Sequence, residues 1–188
     1  MTRENRYPEL ITTDVKTWKD IIIATYYNIK SILDSARVLL DVNIEENRDV
    51  LFERPFVCAG LYTFAVEEYG KVVYLLMAYS STGRITIHYK REFRSHSLKF
   101  KLALDFIPKE CKVIHKGGFG EGFGKGFDID ETADMESRMA IFYSDFDEQN
   151  NVKKLPIVDV NSLEIAITNF TRFIEDDLER FIIQNPIN

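Results

Sequence analysis

At 188 residues the chain has the length of one domain with a sizeable core, and 45% hydrophobic with 13% aromatic content excludes a disordered polymer despite 29% charged residues. Two cysteines, Cys58 and Cys111, offer neither a disulfide framework nor a close metal spacing, the pattern expected of a reducing cytoplasm. The opening Met1–Arg6 begins no apolar run and no segment approaches the roughly 18 apolar residues of a membrane span, so neither a signal peptide nor a membrane partner is expected.

A net charge of −6 argues against nucleic acid, but its distribution argues the other way. Between His88 and Lys116 eight Lys/Arg stand against three Asp/Glu, a local balance of +5 that leaves −11 on the remainder. Such a patch suits an anionic substrate, and it equally suits an ordinary solvated helix face.

Residues 14–42 predict a long first helix, with Trp18, Ile22, Tyr26, Ile29, Leu33, Ala36 and Leu40 at spacings of three and four and Asp14 as its N-cap. Glu45 to Glu53 reads as a polar connection. A second helix is expected from about Pro55, tolerated at a first helical position, to Ala78.

That helix carries one core stripe, Ala59, Tyr62, Val66, Tyr69, Val73 and Leu76/Met77. A second stripe, Leu61, Ala65, Glu68, Val72 and Leu75, contains Glu68 as its one polar member. Such a carboxylate must find a partner or take a raised pKa. Glu67 shares a face with Thr63, Lys71 and Tyr74, and its place four residues before Lys71 suits a helical ion pair on the surface.

After the break at Ser80-Ser81-Thr82-Gly83, alternation over residues 84–88 suggests a short strand. A third helix is expected from about Tyr89 to Phe106, with Phe93, Leu98, Leu102, Asp105 and Phe106 near one side and Pro108 closing it. Residues 109–136 hold six of the nine glycines. No glycine triplet fits G-x-G-x-x-G, and the acidic run at Asp128 has Ala133 and Met139 where a calcium loop needs Gly and Glu. A flexible surface insertion is the better account.

Residues 138–160 predict a small β-hairpin, and a last helix capped by Asp159 or Asn161 follows, with Leu163, Ile167, Phe170, Ile174, Leu178 and Phe181 on one face. The fold class is therefore all-α in the main, a four- to five-helix bundle with a small β-hairpin, forming one domain over 1–188 with the glycine-rich insertion at about 109–136.

Several stretches together resemble a known family. These are the helix bearing Glu67-Glu68-Tyr69-Gly70-Lys71, the basic run Phe93-Arg94-Ser95-His96-Ser97-Leu98-Lys99, Arg138 with Ala140 to Phe146, and the proline of Leu155-Pro156. In order and separation they resemble the AbiV family of bacterial abortive-infection proteins, within the wider group of HEPN domains. The resemblance covers most of residues 20–175 and has no counterpart for the glycine-rich loop.

It implies a HEPN-like helical bundle, commonly paired as a homodimer, with a metal-independent endoribonuclease activity that uses an R-x4-6-H motif. Arg91 to His96 matches the motif at its shortest spacing. By resemblance Arg91 and His96 are the catalytic candidates, Glu92 occupies the polar position after the arginine, and Arg94, Lys99, Glu67, Glu68 and Lys71 are supporting or substrate-binding candidates. No cofactor and no metal is implied, and the partners would be RNA, a second copy and a phage protein acting as trigger.

The residue types suit the chemistry. Histidine titrates near neutral pH and can withdraw a 2′-hydroxyl proton, and a guanidinium presents a planar fork to phosphoryl oxygens. Positions 91 and 96 lie about 140° apart around a regular helix. Arg91 therefore sits at a helix start, wraps its side chain, or meets the His96 of a partner, with Arg94 in reserve. His88 and His115 carry no such motif. The competing reading is a non-catalytic interaction module whose bundle and basic face bind a phage or host protein or RNA.

Overall fold

The structure, a computed structural model, describes residues 10–12, 15–41, 48–82, 85–87, 96–111 and 160–186. Four α-helices carry nearly all of it: α1 (Val15–Asp41), α2 (Arg48–Thr82), α3 (His96–Phe106) and α4 (Val160–Gln184). One short antiparallel pair, β1 (Leu10–Thr12) and β2 (Ile85–Ile87), joins Leu10 to Ile87, Ile11 to Thr86 and Thr12 to Ile85. The strand expected over 84–88 thus exists at Ile85–Ile87, with a partner 75 positions upstream in the pairing of Ile11 with Thr86 that alternation in one segment cannot reveal. The hairpin expected at 138–160 and the glycine-rich insertion lie outside the described residues, apart from Lys109–Cys111, a 3-10 turn that buries Cys111.

α1 follows its apolar period. Trp18, Ile22, Tyr26, Ile29, Leu33 and Ala36 are all buried, and Leu40 packs at the margin. α2 runs antiparallel to it, as Trp18 Nε1 donating to the Leu75 carbonyl (3.4 Å) and Cys58 Sγ to the Ala36 carbonyl (3.4 Å) require. α4 returns beside both, with Lys30 paired to Glu175 and Lys19 Nζ donating to the Pro186 carbonyl at 2.9 Å.

α2 begins at Arg48, so the stretch expected to connect is helical and Pro55 lies inside the helix instead of at its start. The proline leaves one intrahelical bond unmade at that point. Both stripes read from the sequence are largely buried: Ala59, Tyr62, Val66, Tyr69 and Val73 on one, Ala65, Val72 and Leu75 on the other, whereas at the end of the first Leu76 is half-buried and Met77 exposed. Thr63 and Glu67, on the face expected to meet solvent, are buried too. α2 is the central helix, covered by α1, α3 and α4.

α3 corrects the sequence in its facing. Phe100, Ala103 and Leu104 turn inward with Lys99, and Ile107 follows, whereas Leu98 and Phe106 are about half exposed and Asp105 is exposed. Two apolar positions at helical spacing exist on either side of this short helix, so periodicity alone does not choose. On α4 the expected stripe is buried at Leu163, Ile167, Phe170, Ile174 and Phe181, and Asn161 lies within the helix instead of capping it.

The layers are tied together by aromatic rings and one carboxylate. Tyr26 and Tyr69 both donate their phenolic O–H to Asp177 Oδ2, at 2.5 and 3.0 Å, joining α1, α2 and α4. Phe170 meets Tyr62 and Tyr69 edge-on, and Trp18 stacks on Tyr79 with ring centres 3.8 Å apart. Tyr62, fully buried, donates to the Cys111 carbonyl and so holds the 3-10 turn against α2. Buried Thr63 and Thr171 satisfy their hydroxyls on the carbonyls of Ala59 (2.9 Å) and Ile167 (2.8 Å) within their own helices.

Where α2 crosses α3 the separation is set by Gly70. A Cβ built there would stand 2.6 Å from the Lys99 carbonyl carbon and collide with its oxygen. Alanine is favoured over glycine in a helix by about 1 kcal/mol, but this contact reverses the sign through overpacking of about 1–3 kcal/mol. Gly70→Ala is therefore expected to lower the urea midpoint. An unchanged or raised midpoint would remove the close crossing.

Burial also raises the phenols of Tyr26, Tyr62 and Tyr69, with Asp177 adding to the first and third, and pushes the Cys111 thiol up to about 12, helped by nearby Glu110. Groups that hold their proton more tightly folded than unfolded support the fold fully below their unfolded pKa and withdraw that support as pH rises through the folded value. Melting temperature is expected to be insensitive to these groups near neutral pH. It should decline above about pH 9, where unfolded thiol and then phenol begin to ionise. Tyr26→Phe with Tyr69→Phe should flatten the decline in a series of thermal melts; an identical slope in wild type and variant would refute the assignment.

Candidate functional site

Of the described candidates, Glu67, His96 and Lys99 converge at the α2–α3 crossing, and Glu68 and Lys71 pair apart from them. Glu67 and Gly70 lie one turn apart on the face of α2 that meets α3, and His96 and Lys99 lie one turn apart on α3. The absent side chain at Gly70 lets the Lys99 backbone approach, and the carboxylate one turn earlier reaches both α3 side chains.

Glu67 Oε1 lies 2.6 Å from His96 Nδ1 and 2.6 Å from Lys99 Nζ. Burial grades sharply across the three: the side chains of Glu67 and Lys99 are 3% and 6% exposed, and that of His96 is 49% exposed. The histidine is thus the one member of the cluster that solvent or a ligand reaches freely. Nδ1 is engaged inward, and the described residues supply no partner for Nε2.

This arrangement corrects the expected pairing of Glu67 with Lys71. Lys71 instead meets Glu68, its Nζ 2.6 Å from Oε2, and Asn28 Nδ2 on α1 approaches the same oxygen at 3.4 Å. Glu68 is half-buried between α1 and its own lysine. The more deeply buried carboxylate is Glu67, because α3 covers the Thr63–Glu67 face and brings the compensating cation with it. Lys99 spends its ammonium on this internal ion pair and stands behind the site surface.

Arg91, Glu92 and Arg94 lie outside the described residues, as do His88, His115 and the Arg138 to Pro156 part of the resemblance. Gly70 is the residue that sequence reasoning passed over. Its signal was an isolated glycine inside an otherwise strong helical pattern, which marks a close backbone approach.

Two open surface depressions lie elsewhere and hold none of the sequence candidates. One follows α1 past Tyr27, Ser31, Asp34 and Val38; the other follows α4 past Asn161, Ile165 and Thr168. Among the described residues no group of three or more His, Cys, Asp and Glu is placed to hold a metal ion, and no helix is long and apolar enough to cross a membrane. The chain matches no family model, no curated protein and no solved structure.

Removing one partner from a buried ion pair leaves a charge stranded, at a cost of about 3–5 kcal/mol, whereas replacing both can be nearly neutral. Lys99→Met is expected to destabilise by an amount in that range. Glu67→Leu combined with Lys99→Met should recover part of the loss, giving a strongly non-additive double-mutant cycle in urea denaturation. Additive losses would mean that the two side chains are not coupled.

Proposed function

We propose that this chain is a HEPN-like ribonuclease of the AbiV type, an abortive-infection protein that cleaves RNA without metal. The observation that carries the reading is the placement of His96: its side chain is half exposed at the first residue of α3 and anchored through Nδ1 to a buried carboxylate. A histidine held by its inner nitrogen is what a general base needs. The resemblance of the Glu67–Lys71 and Phe93–Lys99 stretches to the AbiV family supports the same assignment.

In this reading the neutral His96 Nε2 withdraws the proton of a ribose 2′-hydroxyl. The freed oxygen attacks the adjacent phosphorus and the bond to the 5′-oxygen breaks, leaving a 2′,3′-cyclic phosphate on one fragment. The departing oxygen takes a proton from water or from the His96 of a second copy and becomes a 5′-hydroxyl. Arg91 lays its guanidinium against the phosphoryl oxygens as charge builds there, with Glu92 and Arg94 beside it. A homodimer brings two such motifs face to face, and a phage protein releases the activity during infection in the cytoplasm.

The second reading, a non-catalytic interaction module, draws on the exposed apolar side chains of the α1 groove, Tyr27 and Val38, at 59% and 61% exposure. The two readings part in one assay. Purified protein incubated with total RNA in excess EDTA is expected to cut it, and Arg91→Ala and His96→Ala are each expected to lower the rate by at least about 10²-fold, the scale of a lost general base. Intact RNA after incubation with the wild type would end the ribonuclease reading, and cleavage by His96→Ala at the wild-type rate would end the role of His96 in it. Loss of function on altering Tyr27 and Val38, with His96→Ala active, would favour the module.

A further inference from the structure

We infer that Glu67 is a positioning residue for His96: its buried carboxylate fixes the imidazole as the Nδ1–H tautomer and so directs the Nε2 lone pair at the substrate, while Lys99 holds that carboxylate ionised. The inference rests on the ribonuclease reading of His96 and says which group makes the histidine a base.

The geometry is specific on each point. A carboxylate accepts hydrogen bonds and, ionised, donates none. With Oε1 2.6 Å from Nδ1, the neutral ring must carry its proton on Nδ1, and Nε2 is then unprotonated. Lys99 Nζ approaches the same oxygen at 2.6 Å from the next turn of α3. The ammonium offsets the charge on Glu67 inside the protein, where a lone carboxylate would tend to take up a proton. A protonated Glu67 could donate to Nδ1 and favour the opposite tautomer, so the lysine protects the polarity of the hydrogen bond.

Burial separates this role from substrate binding. At 2% exposure Glu67 has no surface to offer RNA, and Lys99 at 5% has little more. Both act through His96. Gly70 belongs to the same device, because the helix approach that it permits sets the reach from Glu67 to α3. The two i, i+3 pairs, Glu67 with Gly70 and His96 with Lys99, form one interlocked unit.

The test reads the tautomer and the reaction separately. The imidazole nitrogens of 15N-histidine protein distinguish protonated from unprotonated positions by their chemical shifts, and with three histidines in the chain the His96 signals are identified by their loss in His96→Ala. At a pH where the ring is neutral, wild-type His96 is expected to show a protonated Nδ1 and an unprotonated Nε2. Glu67→Gln, whose amide N–H can donate to Nδ1, is expected to shift the population toward Nε2–H. It should lower kcat for RNA cleavage by about 10²-fold or more with little change in KM, since a misplaced proton disables the base without touching binding.

Should Glu67→Gln fail to fold with Lys99 left unpaired, Glu67→Gln with Lys99→Met removes both buried charges and carries the same two readouts. An Nε2–H tautomer in the wild type overturns the inference, as does a kcat within threefold of wild type in the Gln variant. Failure of the ribonuclease reading of His96 looks different: the wild type then leaves RNA uncut, or His96→Ala cuts at the wild-type rate, while the tautomer measurement is unaffected.

Discussion

The approach of α3 to α2 at Gly70 is the constraint on which the site depends. Two helices with ordinary side chains pack with axes 8–10 Å apart, and a backbone carbonyl of one seldom reaches the helix surface of the other. At Gly70 the Lys99 backbone does so, because no Cβ stands in the way. Everything polar in the cluster follows from that distance. Glu67 is sealed from water, and a sealed carboxylate requires a cation and hydrogen-bond donors within reach. Lys99 supplies the first, and His96 and Lys99 together supply the second. A side chain at position 70 would push α3 outward and loosen both contacts.

The remaining helices keep α2 from moving under that load. Tyr26 and Tyr69 converge on Asp177 Oδ2 and tie α1, α2 and α4 at one level of the bundle. Tyr69 also meets Phe170 and Phe173 edge-on, one residue before Gly70. The aromatic layer therefore fixes the rotation of α2 about its own axis near the crossing. That rotation decides whether Glu67 or Glu68 points at α3. The two adjacent carboxylates point to different neighbours: Glu67 to the inner α3 pair, Glu68 to Lys71 and toward Asn28.

This division of labour suits a site that works on an anion. The buried pair is internally compensated, so it places a firm anchor behind the histidine without adding a bare negative charge to the surface there, as the proposed ribonuclease reading requires. In that reading the basic surplus between His88 and Lys116 would supply the attraction, whereas Lys99, one of its members, is buried against Glu67.

The sequence by itself determined the helical elements. Apolar residues recurring every three or four positions made α1 and α4 legible almost residue by residue, since a long amphipathic helix has one face that can be buried. α2 was legible as a helix but not as the centre of the bundle. A helix covered on most sides has no clear polar face, so its Thr63–Glu67 side read as solvent-facing when it is the α3 contact. α3 was too short for its period to choose between two apolar faces. The motif at His96 could be read locally, whereas its partner could not. Glu67 and His96 stand 29 positions apart, and which of two neighbouring glutamates meets the histidine depends on the turn of one helix against another. Only tertiary structure decided that pairing, because the carboxylate's environment is built by the helix packed onto it and not by its neighbours in the chain.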